Sequence, residues 1–147
     1  MLIGIDARMT PDLIYCLAAM GHGDEIAVVD ANFPAHSTAA HTAFGETIQL
    51  AGLSAAEAVS LISGLMPLDA FVDHCAVRME VDGKADEMNE VHKDVFTVLE
   101  AAKPAEAGLG SIERQDFYSR ANRCFAIVQT GERRAYGCFI LRKGVVF

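Results

Sequence analysis

The chain has 147 residues, 52% of them hydrophobic and 22% charged, which describes one folded domain with a sizeable core. Its formal net charge of -8 disfavours nucleic acid and anionic membrane surfaces as partners. No apolar run approaches the ~20 residues of a membrane span, and the opening MLIGIDARMTPDL lacks the basic region, long apolar stretch and cleavage site of a secretory signal, so a cytoplasmic protein is expected.

Thr10, Pro11 and Asp12 open a helix, because threonine caps, proline fits the first position and an acid meets the positive end. Leu13, Ile14, Leu17 and Ala18 form its apolar stripe, and Gly21 is the expected stop, since glycine accepts the left-handed conformation. EIAVVD, residues 25–30, reads as a buried strand broken by Asn32-Phe33-Pro34. Ser54 and Glu57 form a capping-box pattern ahead of a helix over 55–65. DHCAVRMEV (73–81) reads as a strand, and 87–102 as a helix with Val91, Val95, Val98 and Leu99 on one face. Residues 104–110 are loop-like, and a short helix is expected near 115–122. CFAIVQ (124–129) and YGCFILR (136–142) read as strands joined by the polar turn GERRA. The alternation predicts an α/β class: a single layered α/β/α domain over 1–147 with a C-terminal β-hairpin.

Cys16, Cys75, Cys124 and Cys138 form no CxxC pair and sit among apolar neighbours, as reduced, packed thiols do. His22 lies between two glycines, which leaves its ring little shielded. It reads either as an exposed loop histidine or as an acid–base group, since the reference pKa of ~6.5 lets it give or take a proton near neutrality. Asp24 suits a turn, as an acceptor of backbone hydrogen bonds. Asp30 is either a turn cap before Asn32 or a ligand-binding carboxylate at the carboxyl end of a strand, where open α/β sheets bind ligands. His36 follows in a turn-like segment. These side chains match no standard metal spacing such as HExxH, so no metal is expected. GxSxG and P-loop patterns are absent, and GLGS at 108–111 is too short for a dinucleotide loop. Nearer the C-terminus, Arg114 is either a solvated surface charge or a group for sugar hydroxyls, and Tyr136 either a half-buried strand tyrosine or a sugar contact, since an aromatic face stacks on C–H groups while polar ends bond hydroxyls.

MGHGDEIAVVDANFPAHS and FYSRANRCFAIVQTGERRAYGCFILRKGV together resemble the fucose mutarotase / ribose pyranase family of the RbsD/FucU type, and GLSAAEAVSLISGLMPLD fits its middle. The resemblance covers nearly the whole chain. It implies a cofactor-independent isomerase that interconverts anomers or ring forms of a free monosaccharide. By position it makes His22 the catalytic proton donor and Asp30 a substrate-binding residue, and it places Arg114 and the Tyr136-Gly137-Cys138 stretch, which begins the last predicted strand, at the sugar. The family usually has asparagine where Cys138 stands, and a thiol does not supply an amide's paired donor and acceptor. Arginine at 114 resembles the fucose branch rather than the ribose branch, which usually has histidine there, and this favours L-fucose.

Mutarotation needs a proton delivered to the ring oxygen and one removed from the anomeric hydroxyl, which acid–base groups supply. A fully extended path from His22 to Asp30 approaches ~26 Å, at ~3.3 Å per residue. That is too far for both to touch one monosaccharide unless the chain bends or two subunits contribute. The resemblance implies ring-like homo-oligomers, a decamer among them, with sites near subunit interfaces. Two rivals stand beside the mutarotase: a non-catalytic sugar-binding accessory protein of a transport or catabolic system, and a metal-dependent isomerase or lyase using His22, Asp30 and His36.

Overall fold

In the computed structural model, which describes residues 1–147, Thr10 Oγ1 accepts the Leu13 amide at 3.3 Å and starts α1 (Pro11–Ala19). Its apolar stripe buries Leu13, Cys16 and Leu17. The helix ends one step before the expected glycine: Met20 is extended, at φ -60 and ψ 139, and its amide bonds back to the Cys16 carbonyl. The left-handed residue is Gly23, at φ 87, which turns the chain into β1 (Glu25–Val29).

Beyond β1 come two elements the sequence pattern did not disclose, α2 (Ala35–Ala39) and β2 (Thr47–Leu50). Both are too short to show a period. The expected capping box then forms: Ser54 accepts the Glu57 amide, Glu57 reaches back to the Ser54 amide, and α3 (Ala55–Ser63) follows. β3 (His74–Met79) and α4 (Glu90–Ala102) fall where expected. Val91, Val95 and Leu99 of α4 are fully buried, worth ~1.5–3 kcal/mol each in removed apolar surface. The segment expected as loop at 104–110 runs into β4 (Gly108–Ile112), whose small glycines let it lie against β3. α5 (Arg114–Ala121), β5 (Ala126–Thr130) and β6 (Phe139–Arg142) complete the chain.

The six strands form one sheet in the order β2-β5-β1-β6-β3-β4. Helices α1, α3 and α4 cover one face, with Ile26 and Val28 of β1 pointing to them. Helices α2 and α5 cover the other, against Ala27 and Val29. This is the expected α/β/α layering, with a near-continuous apolar central strand because both faces are buried.

The C-terminal hairpin does not form. β5 pairs with β1 in parallel and β6 pairs with β1 antiparallel, so the two strands flank β1 instead of each other. β1 is the most completely buried apolar strand, and inserting it lets β5 and β6 each bury against it. The polar 131–138 stretch therefore crosses the carboxyl end of β1 instead of turning tightly; the Ala31 amide donates to the Glu132 carbonyl there at 2.9 Å. Tyr136, Gly137 and Cys138 belong to this crossing loop and not to the last strand.

Candidate functional site at the two ends of strand β1

His22 sits at the amino end of β1, in a turn that its neighbours fix. The Gly21 amide donates to Asp24 Oδ2 at 2.7 Å, the turn role expected of Asp24. The Gly23 amide bonds to the Lys143 carbonyl, and the Lys143 amide to the Asp24 carbonyl, both at 2.9 Å. A Cβ at Gly23 would stand 3.1 Å from Arg142 Nη2, so this glycine serves both conformation and clearance.

The His22 ring is 46% exposed, and its Nε2 lies 3.1 Å from Asp69 Oδ1. It meets Phe71 edge-on, with centroids 5.8 Å apart. Asp69 is the buried support, 1% exposed. Burial works against its charge, but the Phe71 amide, the Arg142 guanidinium and the His22 ring together hold its carboxyl below the usual range. Arg142 also reaches Glu25 at 3.7 Å, and Arg120 reaches it at 2.6 Å, so charges alternate from His22 into the fold. With Nε2–H held by a carboxylate, Nδ1 is the ring atom left to hand over or take up a proton.

At the carboxyl end of β1 the crossing loop closes a cleft of about 230 Å³. Asp30, Arg114, Tyr136 and Cys138 line it, with Phe33 and Tyr118 as its aromatic wall. Asp30 combines both of its expected roles in one place. Its Oδ1 caps the turn by accepting the Asn32 amide at 2.9 Å, while Oδ2 accepts the Cys138 thiol at 3.4 Å. Burial, reinforced by the adjacent carboxylate, pushes the Cys138 thiol far up, so it stays protonated and donates.

Arg114 begins α5, its Nε bonded to both Asp82 oxygens at 2.9 and 3.0 Å and its guanidinium 5.9 Å from the Tyr118 ring centre. Tyr136 occupies the left-handed region at φ 62, the one non-glycine in the chain to do so. For a bulky residue that costs ~1–3 kcal/mol and marks a position held by its surroundings. Gly137 does not line the cleft. A Cβ there would stand 2.8 Å from Glu132 Cγ, so its smallness lets the loop pack. A larger cleft of about 410 Å³ beside the N-terminal segment is walled by Met1, Leu2, Ile5, Met9, Ile14 and Tyr15 and offers few groups for hydroxyls.

The structure thus brings Asp30, Arg114, Tyr136 and Cys138 together, and sets His22 apart from them at the other end of the strand. Residues 3–146 match the RbsD / FucU transport protein family. The chain belongs to that family. It is 40% identical to human (Homo sapiens) fucose mutarotase, over 99% of this chain and 94% of that one. It is similar in structure to the fucose mutarotase of Streptococcus pneumoniae, crystallised with L-fucose: TM-score 0.85, 35% identity, 99% of this chain and 100% of that one covered. The fold extends to Bacillus subtilis RbsD, at TM-score 0.74 and 18% identity over the full length of both chains.

Two further side chains of this RbsD / FucU member escaped the sequence reading. Asp69 lies 47 positions from His22 and gains its meaning only through a tertiary contact. Tyr118 was legible in principle: once a helix starts at Arg114, its fourth residue onward lies on the same face.

Proposed function

We propose that the protein is a mutarotase that interconverts the α and β anomers of L-fucose or a closely similar free sugar. The observation that carries this reading is the cleft at the carboxyl end of β1. There a carboxylate, a guanidinium and a phenol meet over an aromatic wall, in a chain 40% identical to a fucose mutarotase. Asp30, Arg114 and Tyr136 hold hydroxyls, and Tyr118 with Phe33 faces the sugar's C–H surface.

The reaction opens a cyclic hemiacetal. A proton goes to the ring oxygen, the bond from that oxygen to the anomeric carbon breaks, and the anomeric hydroxyl loses its proton as a carbonyl forms. Rotation about the adjacent carbon–carbon bond exposes the other carbonyl face, and the reverse transfers close the ring. His22 supplies the proton through Nδ1, with Asp69 holding the ring and steadying it when doubly protonated. One such positioned group is worth ~10²–10⁴-fold.

Within one chain, the five residues of β1, at ~3.3 Å each, keep His22 on the order of 16 Å from the cleft. The site is therefore completed in a homo-oligomer, where His22 of the partner subunit reaches the cleft. Four buried free cysteines suit a reducing compartment, and the cytoplasm is the assigned location.

Saturation-transfer NMR on the anomeric protons of L-fucose tests the reading. Wild type is expected to exchange anomers far faster than buffer, and His22→Ala to lose ~10²–10⁴-fold of that rate. A wild type that binds the sugar without accelerating exchange makes the protein a sugar-binding accessory instead. Equal exchange in the His22→Ala variant removes His22 from the chemistry.

A further inference from the structure

Tyr136 holds a backbone conformation that its own side chain disfavours, so something outside the loop must hold it there. The holding groups sit at the start of α4. His92 is fully buried, and its Nε2 lies 3.0 Å from the Tyr136 carbonyl oxygen. Its Nδ1 accepts the Asn89 amide at 3.3 Å. That second bond fixes the tautomer: Nδ1 is the acceptor, so Nε2 carries the hydrogen and donates to Tyr136. Asn89 Nδ2 donates to the preceding carbonyl, Ala135, at 2.8 Å, while Asn89 Oδ1 accepts the His92 amide and caps the helix. Two successive carbonyls of the crossing loop are thus gripped by one capping box. The His92 ring also packs edge-on against Phe139, centroids 6.0 Å apart, at the start of β6.

We infer that His92 and Asn89 are positioning residues: a latch from the amino end of α4 that fixes Tyr136 over the sugar cleft. Neither residue lines the cleft, and they act through the loop backbone. The residue types follow from the task. A helix N-cap commonly pairs with a Glu three residues on, whose carboxylate accepts the cap's amide and has no hydrogen to give. Histidine in that place accepts the amide through one nitrogen and leaves the other as a donor, directed at the carbonyl of the strained residue. Buried apolar surroundings keep the ring neutral, as this arrangement requires: burial lowers the ring's pKa and nearby Arg78 lowers it further, outweighing its hydrogen bonds.

The inference rests on the mutarotase reading, and three variants test it. Asn89→Asp keeps the cap acceptor but replaces the donor to Ala135 with a carboxylate oxygen. His92→Phe keeps the ring's packing and removes both of its hydrogen bonds. His92→Gln restores a donor within reach of Tyr136. Each latch bond lost is expected to raise KM for L-fucose exchange about 3- to 10-fold with kcat within about twofold. His92→Gln is expected to recover most of the loss seen in His92→Phe.

If His92→Phe does not fold, Asn89→Asp, altered at a half-buried cap, carries the test alone. The amide and carbonyl shifts of Tyr136 report the loop conformation directly and are expected to move in Asn89→Asp. Variants that lose thermal stability while KM and the Tyr136 shifts stay at wild type overturn the latch and leave the mutarotase reading standing. A wild type that shows no exchange overturns that reading, and with it the latch's part in binding.

Discussion

The two ends of β1 are built on opposite plans. At the amino end a half-exposed histidine stands on a buried carboxylate, with charged partners behind it. At the carboxyl end a cleft carries hydroxyl-binding groups, a protonated thiol and an aromatic wall, with no histidine among its lining residues. In the proposed reaction one end would move the proton and the other would hold the sugar. The difference is what leads the proposed reaction to draw on both ends at once, with the histidine of one copy serving the cleft of another.

Subunit mixing breaks this picture most directly. His22→Ala and a cleft variant such as Arg114→Ala are each expected to be nearly inactive. Hybrid assemblies of the two, dissociated and reassembled at equal amounts, are expected to regain roughly a quarter of wild-type exchange, because about one site in four then joins an intact cleft to an intact neighbouring histidine. Activity in hybrids no higher than in either parent sinks the shared site.

Asp69→Asn probes the amino end by itself. It replaces a charge-assisted bond to His22 with a neutral one, and kcat is expected to fall about 10- to 100-fold with sugar affinity kept. A matching rise in KM instead places Asp69 at the sugar.

The cleft end is anchored by Glu132, which is 5% exposed. The Arg134 guanidinium holds its carboxyl down at about 2, against burial. A carboxylate whose pKa is lower folded than unfolded stabilises the fold fully above the unfolded value of about 4.5 and loses that contribution as pH falls towards 2. Glu132→Gln is expected to lower Tm by roughly 5 °C at neutral pH and to flatten the decline between those two values. An unchanged acid profile assigns the decline to other carboxylates, Asp69 at the opposite end first.

Cys138→Ser is expected to change exchange by no more than about twofold, since the hydroxyl keeps a donor facing Asp30. A larger loss makes the thiol itself part of sugar recognition.

Local chemistry was readable wherever it repeats along the chain. The Thr10 cap, the Ser54–Glu57 capping box, the apolar stripe of α4 and the buried run of β1 are settled by neighbours within a few residues. Family resemblance supplied the site residues, and four of them, Asp30, Arg114, Tyr136 and Cys138, do meet in one cleft. The elements missed were short or glycine-rich: α2 and β2 have too few residues for a period, and β4 carries two glycines in five positions.

By itself, then, the sequence determined the α/β class and the capped starts of α1 and α3, because these depend on periodicity and capping, while its resemblance to a known family supplied the candidate site residues. Only the tertiary structure decided that β5 and β6 part around β1, that the loop between them becomes the roof of the cleft, and that Asp69 stands behind His22. Strand order depends on which surfaces best bury one another across long separations, and no local pattern records that competition. A polar stretch between two strand-like runs looks the same whether it turns back at once or crosses a third strand.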